Sequence, residues 1–142
     1  MKTSFDKIMN FILEREGGAK ITENPKDPGG LTKYGISQRA HPDVDIRNLT
    51  EDKARAIYRA DYWDKLHGDA LPYPLDMCSM DTAVNCGLSR SLDMLKRSGD
   101  YRDFLLDRVD YYATICEKNA NLRDFFRGWI NRVSLLRKLC RG

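Results

Sequence analysis

The sequence predicts a mainly α, α+β protein: one N-terminal helix, a small β-hairpin lobe at about residues 19–37, then a helical body. Three observations carry this. Apolar residues recur at helical spacing through most of the chain. One segment, Ala19 to Ser37, breaks that pattern with short β-like runs around a turn rich in proline and glycine. The 142 residues, 42% hydrophobic and 32% charged, suit a single globular domain over the whole chain rather than a disordered or membrane-spanning one.

Phe5, Ile8, Met9, Ile12 and Leu13 follow the i, i+3, i+4, i+7, i+8 template. Thr3 or Ser4 is available as N-cap, and Gly17-Gly18 is a stop. Ile21-Thr22 and Leu31 to Tyr34 read as two short strands. Between them Asn24 to Gly30 holds two prolines and two glycines, a composition that fixes a turn. Thr50 caps a helix expected to run to about Trp63. Pro72 and Pro74 separate it from another, Leu75 to Cys86, that stops at Gly87. A short helix is expected from about Arg90 to Arg97. Longer ones follow at about Tyr101 to Lys118 and Leu122 to Leu139.

Charge is unevenly distributed. The net charge is +3, yet from Arg123 onward six basic residues (Arg123, Arg127, Arg132, Arg137, Lys138, Arg141) stand against one acid, Asp124. A basic last helix, at about 122–139, on a mildly acidic body suits attraction to a polyanion; a solvated helix face is the plainer alternative. Cys78 and Cys86 lie eight residues apart on one helix, too far to bridge, and Cys116 and Cys140 stand alone, so buried reduced thiols are expected. Two isolated histidines, His41 and His67, with no short-spaced cysteine pair, argue against a zinc centre. No metal or other cofactor is expected. The first residues lack the apolar stretch of a signal peptide, so a cytoplasmic protein is expected.

The candidate chemistry starts at Glu16. At about 100° per residue, Glu16 falls on the apolar stripe of the first helix, while Glu14 falls on the opposite, wet side. Desolvation and the negative end of the helix dipole both disfavour the ionised form of an inward carboxylate there. A carboxylic acid kept protonated is what cleavage of a glycosidic bond needs in order to protonate the leaving oxygen. A structural glutamate bonded to the hairpin backbone is the alternative. Asp27 and Thr32 follow at eleven and sixteen residues. If the hairpin folds back over the helix end, Asp27 could stabilise positive charge or activate water, and Thr32 could orient that water. Asp-Pro-Gly-Gly is also good turn chemistry, and threonine a common strand residue.

Several segments, in order, resemble glycoside hydrolase family 108, the Glu-Gly-Gly N-acetylmuramidases of phage endolysins and related bacterial lysozymes. They are Glu16-Gly17-Gly18, Asp27-Pro28-Gly29-Gly30, Thr32-Lys33-Tyr34-Gly35-Ile36, Tyr62-Trp63, Asp81 to Gly87 and Phe126 to Val133. The resemblance implies a lysozyme-like fold and cleavage of the β-1,4 bond between N-acetylmuramic acid and N-acetylglucosamine, with the catalytic glutamate carried onto Glu16. The order Glu16, Asp27, Thr32 is similar to the triad of phage-type lysozymes. Tyr34 and Asn85 become candidate substrate contacts, against a packing role for Tyr34 and a helix-capping one for Asn85.

The partners implied are peptidoglycan glycan strands and, through the basic helix, an anionic outer-membrane surface. No nucleic-acid partner is expected, and the chain is expected to be a monomer. An endolysin would stay in the host cytoplasm until released to the periplasm and wall. Two rivals stay open: a lytic transglycosylase, which closes the sugar on itself, and a non-catalytic domain binding cell wall or nucleic acid.

Overall fold

The computed structural model describes residues 1–26 and 30–142; Asp27, Pro28 and Gly29, the centre of the expected turn, lie outside the described residues. The fold is mainly helical with a small antiparallel sheet, as expected. The chain forms two compact units, Met1–Lys65 and Leu66–Gly142.

In the first unit, α1 spans Ser4–Arg15. Thr3 is its cap: the Thr3 hydroxyl accepts from the Asp6 N–H at 3.1 Å, and the Asp6 carboxylate accepts from the Thr3 N–H at 3.1 Å. This reciprocal arrangement satisfies two donors that every helix start leaves orphaned. Phe5, Ile8, Met9, Phe11, Ile12 and Leu13 are buried. The helix α2, Glu51–Tyr58, is capped by Thr50 and continues as a π-helical turn, Arg59–Trp63, closed by Asp64 N–H to the Arg59 carbonyl at 2.9 Å. Its ring Trp63 meets Phe5 edge-to-face at 5.3 Å, and Arg55 donates to the Asn10 side chain at 2.6 Å, so α1 and this helix lie together.

The hairpin differs from the expected one. Strands β1, Thr32–Lys33, and β2, Ile36–Ser37, pair antiparallel, with Thr32 opposite Ser37. Ile21-Thr22 is reduced to one bridge, Thr22 to Thr32, with N–H···O distances of 2.9 and 2.8 Å. The physical reason lies in the two residues between β1 and β2. Tyr34 (φ 54°) and Gly35 (φ 75°) both take left-handed backbone, the condition for a two-residue hairpin loop. Tyr-Gly lacks the asparagine or aspartate that usually signals such a loop, which hid Ile36-Ser37 as the partner strand.

In the second unit α3 (Leu75–Cys86), α4 (Leu88–Arg97), α5 (Tyr101–Lys118) and α6 (Arg123–Arg141) pack together. The fourth helix begins two residues earlier than expected because Gly87, at φ 105°, turns the chain between α3 and α4 without a loop. Nine of the twelve residues of α3 are buried, including Asp76, Ser79, Asp81 and Thr82, so polar groups enter the core and must find partners there.

They do so around Asp81. Its carboxylate accepts from Arg108 Nη1 at 2.8 Å and, in a two-pronged contact, from Arg132 Nη2 at 2.8 Å and Nε at 3.2 Å. Arg108, with no exposed side-chain surface, also donates to Thr82 Oγ1 and to the Tyr112 hydroxyl. Burial alone would push the Asp81 carboxyl up; the two guanidinium groups more than reverse this and hold it below the usual carboxylate range. Arg132 is thereby turned inward, and the basic face of α6 is thinner than its count of cations suggests.

All four cysteines are buried and free. Cys140 is not isolated, as its sequence position suggested: its Sγ lies 3.5 Å from that of Cys78. No helix among the described residues is long and apolar enough to cross a membrane.

Candidate active site

Glu16 is the C-cap of α1, where the chain has just left helical geometry (φ −90°, ψ 12°). Gly17 and Gly18 follow with φ of 91° and 58°, and the Gly18 N–H reaches back to the Leu13 carbonyl at 2.9 Å. This is a Schellman turn, and it explains why two glycines follow the glutamate: only they enter left-handed backbone without strain. The turn lifts Glu16 off the apolar stripe. It is half-buried rather than central to the core, while Glu14 is exposed as expected.

The tip of the hairpin is tied to this helix end. Tyr34 N–H donates to the Gly18 carbonyl at 3.1 Å, and the Tyr34 carbonyl accepts from the Tyr58 hydroxyl at 2.8 Å. Gly35 fills the remaining space with backbone alone. A methyl group there would overlap the Tyr58 hydroxyl and stand 2.8 Å from Glu16 Cβ and 3.1 Å from its Cγ. The Glu-Gly-Gly and Tyr-Gly segments, nearly twenty residues apart in sequence, thus form one packed locality.

The π-helical turn brings further groups to it. Tyr62 stacks on Tyr58 with ring centroids 5.9 Å apart. Burial first, then the charges of Asp61 and Glu16, push the Tyr62 phenol up, so it stays a neutral hydroxyl able to donate. Asp61 accepts from His41 Nε2 at 2.8 Å, and His41 Nδ1 is buried with no hydrogen-bond partner among the described residues. π-helical turns interrupt regular helices frequently at functional positions. Sequence reading did not select Tyr58 or Asp61, and named Tyr62 only within a family-like segment, Tyr62-Trp63, with no role at the site. The i, i+4 spacing of the two tyrosines, which puts them on one helix face, was the available signal.

The other expected residues divide. Thr32 is half-buried in β1, its backbone paired with Thr22 and its position two residues before Tyr34. Tyr34 is half-buried at the hairpin tip with Lys33 Nζ 5.6 Å from its ring centroid. Asp27 lies outside the described residues. Asn85 belongs to the second unit, in the last turn of α3, where its Oδ1 accepts from Arg108 Nη2 at 3.3 Å and from the Tyr112 hydroxyl. That oxygen is engaged in the Asp81–Arg108 cluster; no C-capping bond from it is present among the described residues.

Comparison with known proteins bears on this locality. Brucella abortus SagA, a solved structure, is 27% identical with a TM-score of 0.73, and the match covers 95% of this chain and 92% of that one. No curated protein matches the sequence. The family model for Glycosyl hydrolase 108 matches residues 9–87, a span that begins within α1, takes in Glu16, the hairpin and the π-helical turn, and ends at the Gly87 bend. The chain belongs to glycosyl hydrolase family 108, and is therefore a glycoside hydrolase.

Proposed function

We propose that the protein is a peptidoglycan muramidase that cleaves the β-1,4 bond between N-acetylmuramic acid and N-acetylglucosamine, with Glu16 as the general acid. The observation that carries this is Glu16 itself, a half-buried carboxyl group on a fixed helix end within the family-matched span. The Gly35 backbone packs against its stem beside the Tyr58 hydroxyl, which restricts where the carboxyl can meet the glycosidic oxygen it would protonate. Asp27 is the proposed second carboxylate and Thr32 the group that orients water. Tyr34, at the hairpin tip, would stack on a sugar ring, and Asn85 would contact the strand through its amide. The partners proposed are glycan strands and, through α6, an anionic envelope surface. As an endolysin-type enzyme, the protein would stay in the host cytoplasm until released to the wall.

Clearing of a peptidoglycan suspension by wild type and by Glu16→Gln tests the assignment. The variant should fold normally and lose at least a hundred-fold in rate, within the range expected when a general acid is removed. Full activity in Glu16→Gln would refute it. Mass spectrometry of the products separates hydrolysis from transglycosylation: reducing ends are expected, and anhydro-muramyl ends would overturn the hydrolase reading.

A further inference from the structure

We infer that Tyr58 is a positioning residue for Glu16: its hydroxyl holds the Tyr34–Gly35 turn in place as the wall against which the Glu16 side chain rests. The inference rests on the reading of Glu16 as the acid and adds a residue that no comparison assigns. Three observations meet at Tyr58. It is buried at the C-terminal end of α2. Its hydroxyl donates at 2.8 Å to the carbonyl of Tyr34, a residue in left-handed backbone that a non-glycine side chain adopts only with strain. The same hydroxyl and the Glu16 stem both border the spot where a Gly35 side chain would stand.

The physical consequence follows from that geometry. A turn with two left-handed residues is held by its neighbours rather than by preference, and Tyr58 supplies one of its two anchors; the Gly18 carbonyl supplies the other. Without the hydroxyl, the Tyr34 carbonyl loses its partner and the turn is free to move away from Glu16. Glutamate has three rotatable side-chain bonds, so a wall on its Cβ and Cγ restricts where the carboxyl can sit. Proton transfer to a leaving oxygen falls steeply when the donor is misplaced by even about 1 Å. Tyr62 stacks on Tyr58 and restricts the tilt of its ring.

The test is Tyr58→Phe, which keeps the ring and its stacking and removes only the hydroxyl. Steady-state kinetics on soluble glycan oligosaccharides should show kcat down about ten-fold, roughly one decade for a modest displacement of the donor, with KM changed less than two-fold. Circular dichroism should be unchanged at the assay temperature. A merely structural tyrosine would lower the melting temperature and leave kcat of the folded protein as it was; that result overturns the inference. A rise in KM at constant kcat would overturn it too, since it would make Tyr58 a binding residue.

Gly35→Ala supplies a second reading of the same wall. The new methyl must displace either the Tyr58 hydroxyl or the Glu16 stem, so it should reduce kcat more than Tyr58→Phe does; an active Gly35→Ala enzyme with normal kcat counts against the inference. Failure here is distinguishable from failure of the function. If Glu16→Gln is inactive and Tyr58→Phe is normal, only the positioning role falls. If wild type cleaves no glycan, the functional reading falls first.

Discussion

Replacing Asp81 by asparagine keeps the shape of a buried side chain and deletes the one negative charge between two guanidinium groups. Arg108 has no exposed side-chain surface, so it has no route to water when its partner is neutralised. Breaking a buried pair in this way costs about 3–5 kcal/mol, because the remaining charge is left desolvated without compensation. Removing Arg132 should cost less, about 1–2 kcal/mol, since Arg132 retains 11% exposure and Asp81 keeps its 2.8 Å bond to Arg108. The assay is urea denaturation of wild type, Asp81→Asn and Arg132→Gln, comparing midpoints at unchanged slope. In thermal scans Asp81→Asn should melt on the order of 10 °C lower.

The pH dependence carries a sign. The Asp81 carboxyl is held below its ordinary range in the folded state, so the unfolded chain takes up its proton first as pH falls. The stabilisation is fully present above about pH 4, near the unfolded value, and is lost as pH drops through the lower folded value. Wild type should therefore lose stability more steeply than Asp81→Asn below about pH 4. A loss below 1 kcal/mol in Asp81→Asn at neutral pH, or an Arg132→Gln loss equal to it, would refute the reasoning.

Two further outcomes are expected. The proton shared between Cys78 and Cys140 pushes the Cys78 thiol up and the Cys140 thiol down, so Cys140 is the readier thiolate; peptide mapping after limited iodoacetamide treatment of the native protein should find Cys140 alkylated before Cys78, and equal rates would sink this. Arg137, Lys138 and Arg141 are exposed near the end of α6. Changing all three to glutamine should weaken clearing of intact Gram-negative cells several-fold at low salt, where exposed charges act at longest range, yet leave the rate on purified wall within two-fold; equal loss on both substrates would remove the envelope-targeting role.

The helices were legible because their periods and stops are local. Thr3, Thr50 and Gly87 mark boundaries through chemistry that acts within four residues. The hairpin was legible as a lobe but not as a pairing, because its register depends on the backbone Tyr34 and Gly35 adopt once docked on Gly18 and Tyr58. Of the candidate site, Glu16 and Tyr34 were named from the sequence, but Tyr34 was read as the end of a strand, and the turn it forms with Gly35 was not foreseen. Tyr58 was not named, and Tyr62 was read only as part of a family-like segment, since what brings them towards Glu16 is the packing of α1 against a helix more than thirty residues downstream.

The argument applied to Glu16, that a charge on an apolar stripe needs an explanation, was the right one to apply more widely. Arg132 shares a face with Leu136 and Cys140 at i+4 and i+8, and Arg108 shares one with Phe104 and Tyr112 at i−4 and i+4; all four of those neighbours are buried. Asp81 stands four residues after Met77 on a helix buried nearly all round. Three inward charges on three helices, two positive and one negative, identify one another as partners, because none could be buried alone. Glu16 is different in kind. It is half-buried where a helix ends, and the Tyr34–Gly35 turn packs against its stem. A carboxylate locked by two arginines, as Asp81 is, holds the fold together; the proposed acid, Glu16, stands instead at a helix end within the family-matched span.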